Sequence, residues 1–282
     1  MKPGYITSAI LLAALMLGCK EQKKTETDDS ITNFQIVQTV KSAERNYICK
    51  GANAVFADSL PIYSKVTISV QWPDKMGDHD ITSLQDSLMA AIYAGPKGSI
   101  DESILAELSA PEGNDIYKME RIDTIPWNKP SMILYRDKIA SAITFSPHYI
   151  VYQVMTALYD GGAHGMSVSE FINYDFDSAR VITPQLAFKP GSEDDLLNAI
   201  KGQLMRMYGV RTLQDLDKAG IFSNQIFVSP QFYLQGYNVV FYYNPYDIAP
   251  YSTGYVEVPI PYYTIKDCLT PEVLRFFTPT DG

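Results

Sequence analysis

Residues 149–176 read YIVYQVMTALYDGGAHGMSVSEFINYDF. The first eleven, Tyr149–Tyr159, are dense in β-branched and aromatic side chains, which suit a pleated, half-buried surface. Asp160-Gly161-Gly162-Ala163-His164-Gly165 then interrupts the run, and its three glycines call for positive φ or a close backbone approach. A strand is expected again over residues 171–176, so the two runs should pair antiparallel across the loop.

Upstream, residues 142–145 read as a short strand. In residues 65–72, Val66, Ile68, Val70 and Trp72 alternate with Lys65, Thr67, Ser69 and Gln71. That period of two predicts a strand with one buried face, ended by Pro73 and Asp74. A helix is expected over residues 83–94: Ser83 and Asp86 are spaced as a capping box, Leu84, Leu88 and Ile92 recur every four residues, and Gly95 and Pro96 stop it. Residues 99–108 repeat the pattern with Ser99 and Glu102.

Downstream, Ser192 with Asp195 opens a helix whose face is Leu196, Ile200, Leu204 and Met207, closed by Gly209. Thr212 with Asp215 opens another, with Leu213 and Leu216 inward and Gly220 as its stop. Strands are expected over residues 225–228, 237–243 and 255–260. Strands, then helices, then strands, with no regular βαβ alternation and no internal repeat, imply an α+β fold of mainly antiparallel sheets with packed helices.

The N-terminus follows export grammar. Lys2 precedes an apolar run over residues 5–17, then Gly18-Cys19. The run is short of the roughly 20 residues that a bilayer-spanning helix needs. Met16-Leu17-Gly18-Cys19 resembles a bacterial lipobox, in which the cysteine is acylated and becomes the first mature residue. Residues 1–18 are thus expected to be a signal peptide. The polar stretch KEQKKTETDDSITN, residues 20–33, is a tether that lifts the body from the membrane. The expected location is the cell envelope, on the periplasmic or outer side.

Removing residues 1–18 leaves 22 basic against 32 acidic residues, a net charge of −10 on 264 residues. Such a body lacks the concentrated positive field that nucleic-acid binding needs, and it attracts cationic proteins. With Cys19 acylated, Cys49 and Cys268 remain, either as a disulfide that this compartment permits or as two separate buried thiols.

Chemistry-bearing motifs are few. The sequence has no Gly-x-Ser-x-Gly elbow, no phosphate-cradling loop with lysine and no His-Glu-x-x-His pair. His148, His164 and Asp160 lack close metal-ligand spacing, so no metal or other cofactor is expected. Glu193-Asp194-Asp195 is accounted for by a helix N-terminus. Nine tyrosines lie between Tyr233 and Tyr263, and residues 244–254, NPYDIAPYSTG, form a proline- and glycine-shaped loop rich in aromatics. Loops of that kind bind ligands. Candidate ligand-binding residues are Tyr246, Asp247, Tyr251, Tyr255 and His164.

Residues 239–260, VVFYYNPYDIAPYSTGYVEVPI, with Gly161-Gly162-Ala163-His164-Gly165 and residues 183–188, resemble the extracytoplasmic module of the RsiV type. The resemblance extends over residues 34–276 and departs at Asp177-Ser178-Ala179-Arg180, where that family has a threonine-glycine-lysine turn. In that family the module is the outer domain of a lysozyme-sensing anti-sigma factor, precedes the catalytic domain of PdaC-type peptidoglycan deacetylases, or stands alone in lipoproteins. It implies two consecutive α+β halves, residues 34–183 and 184–282. The function expected is a non-catalytic envelope lipoprotein that binds cell-wall glycan or a cationic wall-directed protein such as lysozyme. The alternative is a wall-polysaccharide hydrolase or deacetylase-like enzyme using His164 and nearby acids.

Overall fold

The computed structural model describes residues 34–51, 61–93, 95, 98–109, 118–126 and 132–277. The signal segment, Cys19 and the tether lie outside the described residues, and Phe34–Gly282 cluster as one unit. The fold is α+β, and its described residues form two sheets and six helices.

The larger sheet has seven strands: β1 (Ile36–Lys50), β2 (Tyr63–Met76), β3 (Lys118–Ile122), β4 (Ile133–Phe145), β5 (Tyr149–Tyr159), β6 (Met166–Asp175) and β7 (Arg180–Val181). Their order is β3-β1-β2-β4-β5-β6-β7, antiparallel throughout except for the parallel pair β2 and β4. Between those two run helices α1 (Thr82–Ile92) and α2 (Ile100–Ser109), as a parallel connection requires a crossover. The helices cover one face: Leu84, Leu88, Ile92, Ile104 and Leu108 pack on Ile68, Val70, Ala140, Tyr152 and Val154.

The other face of β5 is also buried. Tyr149 and Val151 join a second core built by the smaller sheet and its helices. These are α3 (Pro184–Ala187), α4 (Glu193–Met207), α5 (Asp215–Lys218) and α6 (Pro271–Leu274), with strands β8 (Phe232–Gln235), β9 (Asn238–Tyr243) and β10 (Val256–Pro261) in the order β10-β9-β8. Leu196, Ile200 and Leu204 of α4 share that core with Phe241, Val258 and Ile260. Burial on two faces explains why residues 149–152, at the start of β5, read as a continuous apolar run rather than an alternating one.

Several local expectations need correction. The strand from Tyr63 runs through Pro73 to Met76, because β1 accommodates the proline with a register shift between Val37 and Gln38. Asp80, not the Ser83–Asp86 pair, caps α1 by accepting from the Thr82 amide at 2.9 Å. Ser83 is taken instead by the Tyr174 hydroxyl and the Ala179 carbonyl. At α4 the Ser192 hydroxyl donates to the Lys189 carbonyl rather than capping. Residues 225–228 are not a strand, since Gln225 ends a 3-10 turn and the chain then runs irregularly to β8. The hairpin at Asp177-Ser178-Ala179-Arg180 does close, with Ala179 at φ 51°.

The cysteines do not pair. Cys49 is buried beside Ile62 and Leu134, and Cys268 lies in the second core beside residues such as Leu269. Each thiol is enclosed by a different apolar cluster, so the two-thiol alternative holds and the disulfide is not formed. Among the described residues no helix is long and apolar enough to cross a membrane.

Candidate functional site

Two loops meet at one end of the large sheet. The first, residues 160–165, follows β5, and Gly161 and Gly162 both have φ 99°, which lets it turn back tightly into β6. The Tyr159 hydroxyl donates to the Gly162 carbonyl at 2.9 Å and holds the turn. The second, residues 244–254, is pinned at its root. The Asn244 carboxamide accepts from the Ser169 amide at 2.7 Å and donates to the Ser169 carbonyl at 3.2 Å, acting as a one-residue partner for the edge of β6. Further along, Ile248 and Ala249 are buried, and the Ile248 carbonyl accepts from the Phe222 amide at 2.7 Å. The loop is therefore ordered from both its root and its middle, which leaves its rings where the backbone puts them.

Those rings converge on His164. The imidazole stacks on Tyr251 with centroids 3.7 Å apart and planes 13° apart. Its Nδ1 contacts the Gly165 carbonyl at 2.8 Å, and its Nε2 contacts the Tyr246 hydroxyl at 3.3 Å. A carbonyl only accepts, so Nδ1 carries a proton in its contact with Gly165. Tyr246 lies 5.6 Å from Tyr251, is half exposed, and has φ 75°, a left-handed conformation that tyrosine seldom adopts. Strain of this kind is retained where the neighbouring structure imposes it, and ligand sites collect it.

Beside Gly165 and Tyr251 stands Tyr135, whose cross-strand partner is Tyr159, with ring centroids 5.8 Å apart. Burial and the neighbouring Tyr251, Asp137 and Tyr159 push the Tyr135 hydroxyl above its ordinary value, so it stays protonated. Gly165 makes this packing feasible, since a Cβ there would meet the Tyr135 hydroxyl at 2.2 Å. Asp160, at the start of the loop, pairs with Arg136 at 3.6 Å.

Of the five candidate binding residues, the structure brings together His164, Tyr246 and Tyr251. Asp247 serves the loop itself, since its carboxylate accepts from the Asn244 amide at 2.7 Å and fixes the turn there. Tyr255 belongs to a second aromatic platform. It is exposed and stacks on Tyr242 at 5.3 Å, near Tyr233, whose hydroxyl donates to Glu257 at 3.0 Å. His148 sits at the far end of β5, 3.1 Å from Asp177, so it cannot share a ligand with His164. Sequence reasoning missed Tyr135 and Tyr159. Their register across β4 and β5 was the signal, and it is readable only once the pairing is known.

The arrangement is an open set of aromatic faces with few polar handles. Flat apolar faces with hydroxyl tips recognise ligands that are themselves part apolar and part hydrogen-bonding.

Residues 188–263, which include the whole 244–254 loop, match a family model described as a protein of unknown function, DUF3298. A crystal structure of a DUF3298 family member from Bacteroides fragilis is 24% identical, with a TM-score of 0.65 over 86% of this chain and 97% of that one. One from Pseudomonas aeruginosa PAO1 is 18% identical, with a TM-score of 0.55 over 84% of this chain and 96% of that one. At these identities the likeness establishes the fold alone. No curated protein matches the chain.

Proposed function

We propose that this chain is an exported lipoprotein, acylated at Cys19 and anchored to a membrane of the cell envelope, whose folded body binds cell-wall glycan without altering it. The observation that carries the reading is the His164–Tyr251 stack, held in place by Tyr246 and open to solvent at the Tyr246 side. A sugar ring offers apolar C–H faces between hydroxyls, and exposed tyrosine and histidine faces match it. Both ring nitrogens of His164 meet neutral partners, Gly165 and Tyr246, which suits a positioned binding group better than an acid–base catalyst oriented by a carboxylate. The lipobox-like Met16-Leu17-Gly18-Cys19 and the polar residues after it support the location.

A second reading, a cationic wall-directed protein such as a lysozyme as the ligand, is favoured by the net charge of −10 on the mature chain and by the RsiV-type resemblance. One experiment separates these readings from each other and from a hydrolase or deacetylase. The acylated protein is incubated with insoluble peptidoglycan and, separately, with lysozyme; bound protein and released fragments or acetate are measured. The glycan reading expects cosedimentation with peptidoglycan that falls about tenfold in Tyr251→Ala, with nothing released; a tenfold loss is about 1.4 kcal/mol, the scale of one aromatic contact. Binding to lysozyme alone would replace it with the second reading, and released fragments or acetate would make the chain an enzyme.

A further inference from the structure

The two aromatic platforms meet the same face of the large sheet, the one opposite α1 and α2. Side chains alternate along a strand, and the register on that face sets Tyr135 beside Tyr159, then Asp137 beside Ala157 and Ser167, then Met155 beside Ser169. In the first row, Tyr135 adjoins Tyr251. In the third, Ser169 accepts from the Tyr242 hydroxyl at 3.4 Å, and Tyr255 stacks on Tyr242. Tyr159 and Met155 are four residues apart on β5, about 13 Å at 3.3 Å per residue. Tyr251 and Tyr255, also four residues apart, span about 14 Å at most. Stacking contacts run between centroids about 4.5–7 Å apart, so one sugar ring cannot touch both platforms. A ligand that uses both is a chain of rings.

Carboxylates mark this strip. Asp137 lies half-buried in the row between the platforms, where its neighbours Ala157 and Ser167 are small. Glu257 lies opposite Tyr242 on β10, two residues from the exposed Tyr255, and accepts from the Tyr233 hydroxyl. Among the described residues neither acid pairs with a cation. Unpaired carboxylates beside tyrosine faces favour an ammonium twice over, by charge-assisted hydrogen bonding and by attraction of a cation to the ring face. Acetylating an amine removes its charge and both of these attractions with it.

We infer that the site extends from His164 and Tyr251 along this strip to Tyr255, and that it takes a run of several sugars carrying free amino groups, with Asp137 and Glu257 as the ammonium acceptors. This rests on the glycan-binding reading above and narrows its ligand.

The test titrates the full acylated chain, in detergent micelles, with β-1,4-linked glucosamine as the disaccharide and the hexasaccharide, and with the fully N-acetylated hexasaccharide. The glucosamine hexasaccharide is expected to bind about tenfold tighter than either of the others, the scale of one aromatic or charged contact. Tyr255→Ala, at an exposed ring, should abolish the preference for length. Asp137→Asn and Glu257→Gln, which keep size and an acceptor oxygen, should abolish the preference for free amines, while Glu193→Gln, at an exposed acid on α4, should change neither. Equal binding of the short or the acetylated probe overturns the inference, as does a length preference that survives Tyr255→Ala. A loss in Glu193→Gln equal to that in Asp137→Asn would assign the amine preference to the charge of the whole body and overturn it too. Capture of peptidoglycan that Tyr251→Ala weakens, with neither preference seen, overturns this inference and leaves the glycan reading standing; capture of no glycan at all overturns both.

Discussion

The Asn173 carboxamide is bonded at both its ends to the backbone of β8: Nδ2 donates to the Phe232 carbonyl at 2.8 Å, and Oδ1 accepts from the Leu234 amide at 3.0 Å. One side chain of the large sheet thus takes the place of a strand at the edge of the small one. Asn244 does the reverse, serving the edge of β6 from the small sheet's loop, and Gln231 adds a bond to the Phe171 amide at 3.2 Å. These amides close two sheet edges that would otherwise be left unpaired, and they fix the 244–254 loop against the glycine loop.

Asn173→Ala is expected to lower stability by about 3 kcal/mol, because two buried backbone groups lose their partners and each costs about 1–3 kcal/mol when left unsatisfied. Asn173→Asp keeps the acceptor but sets a carboxylate against the Phe232 carbonyl, so it should be worse than alanine at pH 7 and recover on acidification. Urea unfolding at two pH values measures both; an alanine variant within 0.5 kcal/mol of wild type, roughly the scale of an ordinary surface change, would show that the bridge is not structural.

Arg275 ties the C-terminal segment to the β6–β7 turn by pairing with Asp175, which is fully buried, and with Asp177. Burial alone would raise the Asp175 carboxyl, but hydrogen bonds from Arg275 and Ser178 and the guanidinium charge hold it below the ordinary carboxylate range. A depressed folded-state pKa stabilises the protein above the unfolded value of about 3.9, and that contribution is lost as pH falls through the folded value. Arg275→Ala should therefore cost about 3 kcal/mol at pH 7, the lower end for breaking a buried pair, with the deficit shrinking below about pH 4. A deficit independent of pH would mean that the arginine acts through packing alone.

What the sequence made legible depended on whether local chemistry had a tertiary competitor. The Ser99–Glu102 and Thr212–Asp215 boxes form as read, with the Ser99 amide 2.8 Å from the Glu102 carboxylate and the Asp215 amide 3.3 Å from the Thr212 hydroxyl. That at Ser83 fails because the distant Tyr174 hydroxyl and Ala179 carbonyl claim the serine, and that at Ser192 because its hydroxyl turns to the local Lys189 carbonyl instead. β1 left no readable trace, since it is largely exposed and its IVQTVKSAERNYICK has little apolar alternation. The site was half visible. His164, Tyr246 and Tyr251 stood out by loop chemistry, whereas Tyr135 enters it only through its register with Tyr159.

The thiols offer a chemical test of the core. Burial, with a smaller push from Asp160, raises Cys49 to about 11, and burial raises Cys268 as well. In protein acylated at Cys19, a charged thiol reagent at pH 8 should find no reactive group in the native state and two after denaturation without reductant. Fewer than two would reinstate the disulfide.

Tyr246 is the residue at which fold and function pull apart. Its φ of 75° is open to glycine at no steric cost and strained for any side chain with a Cβ. Tyr246→Gly and Tyr246→Ala both remove the hydroxyl that reaches His164, so their ligand affinities should fall together. Their stabilities should diverge, with glycine ahead of alanine by about 1 kcal/mol, the reverse of the usual preference of an ordered backbone for alanine. If alanine proves the more stable, the tyrosine is not held in a strained conformation, and the rigidity of the aromatic site would have to come from the stack on Tyr251 alone.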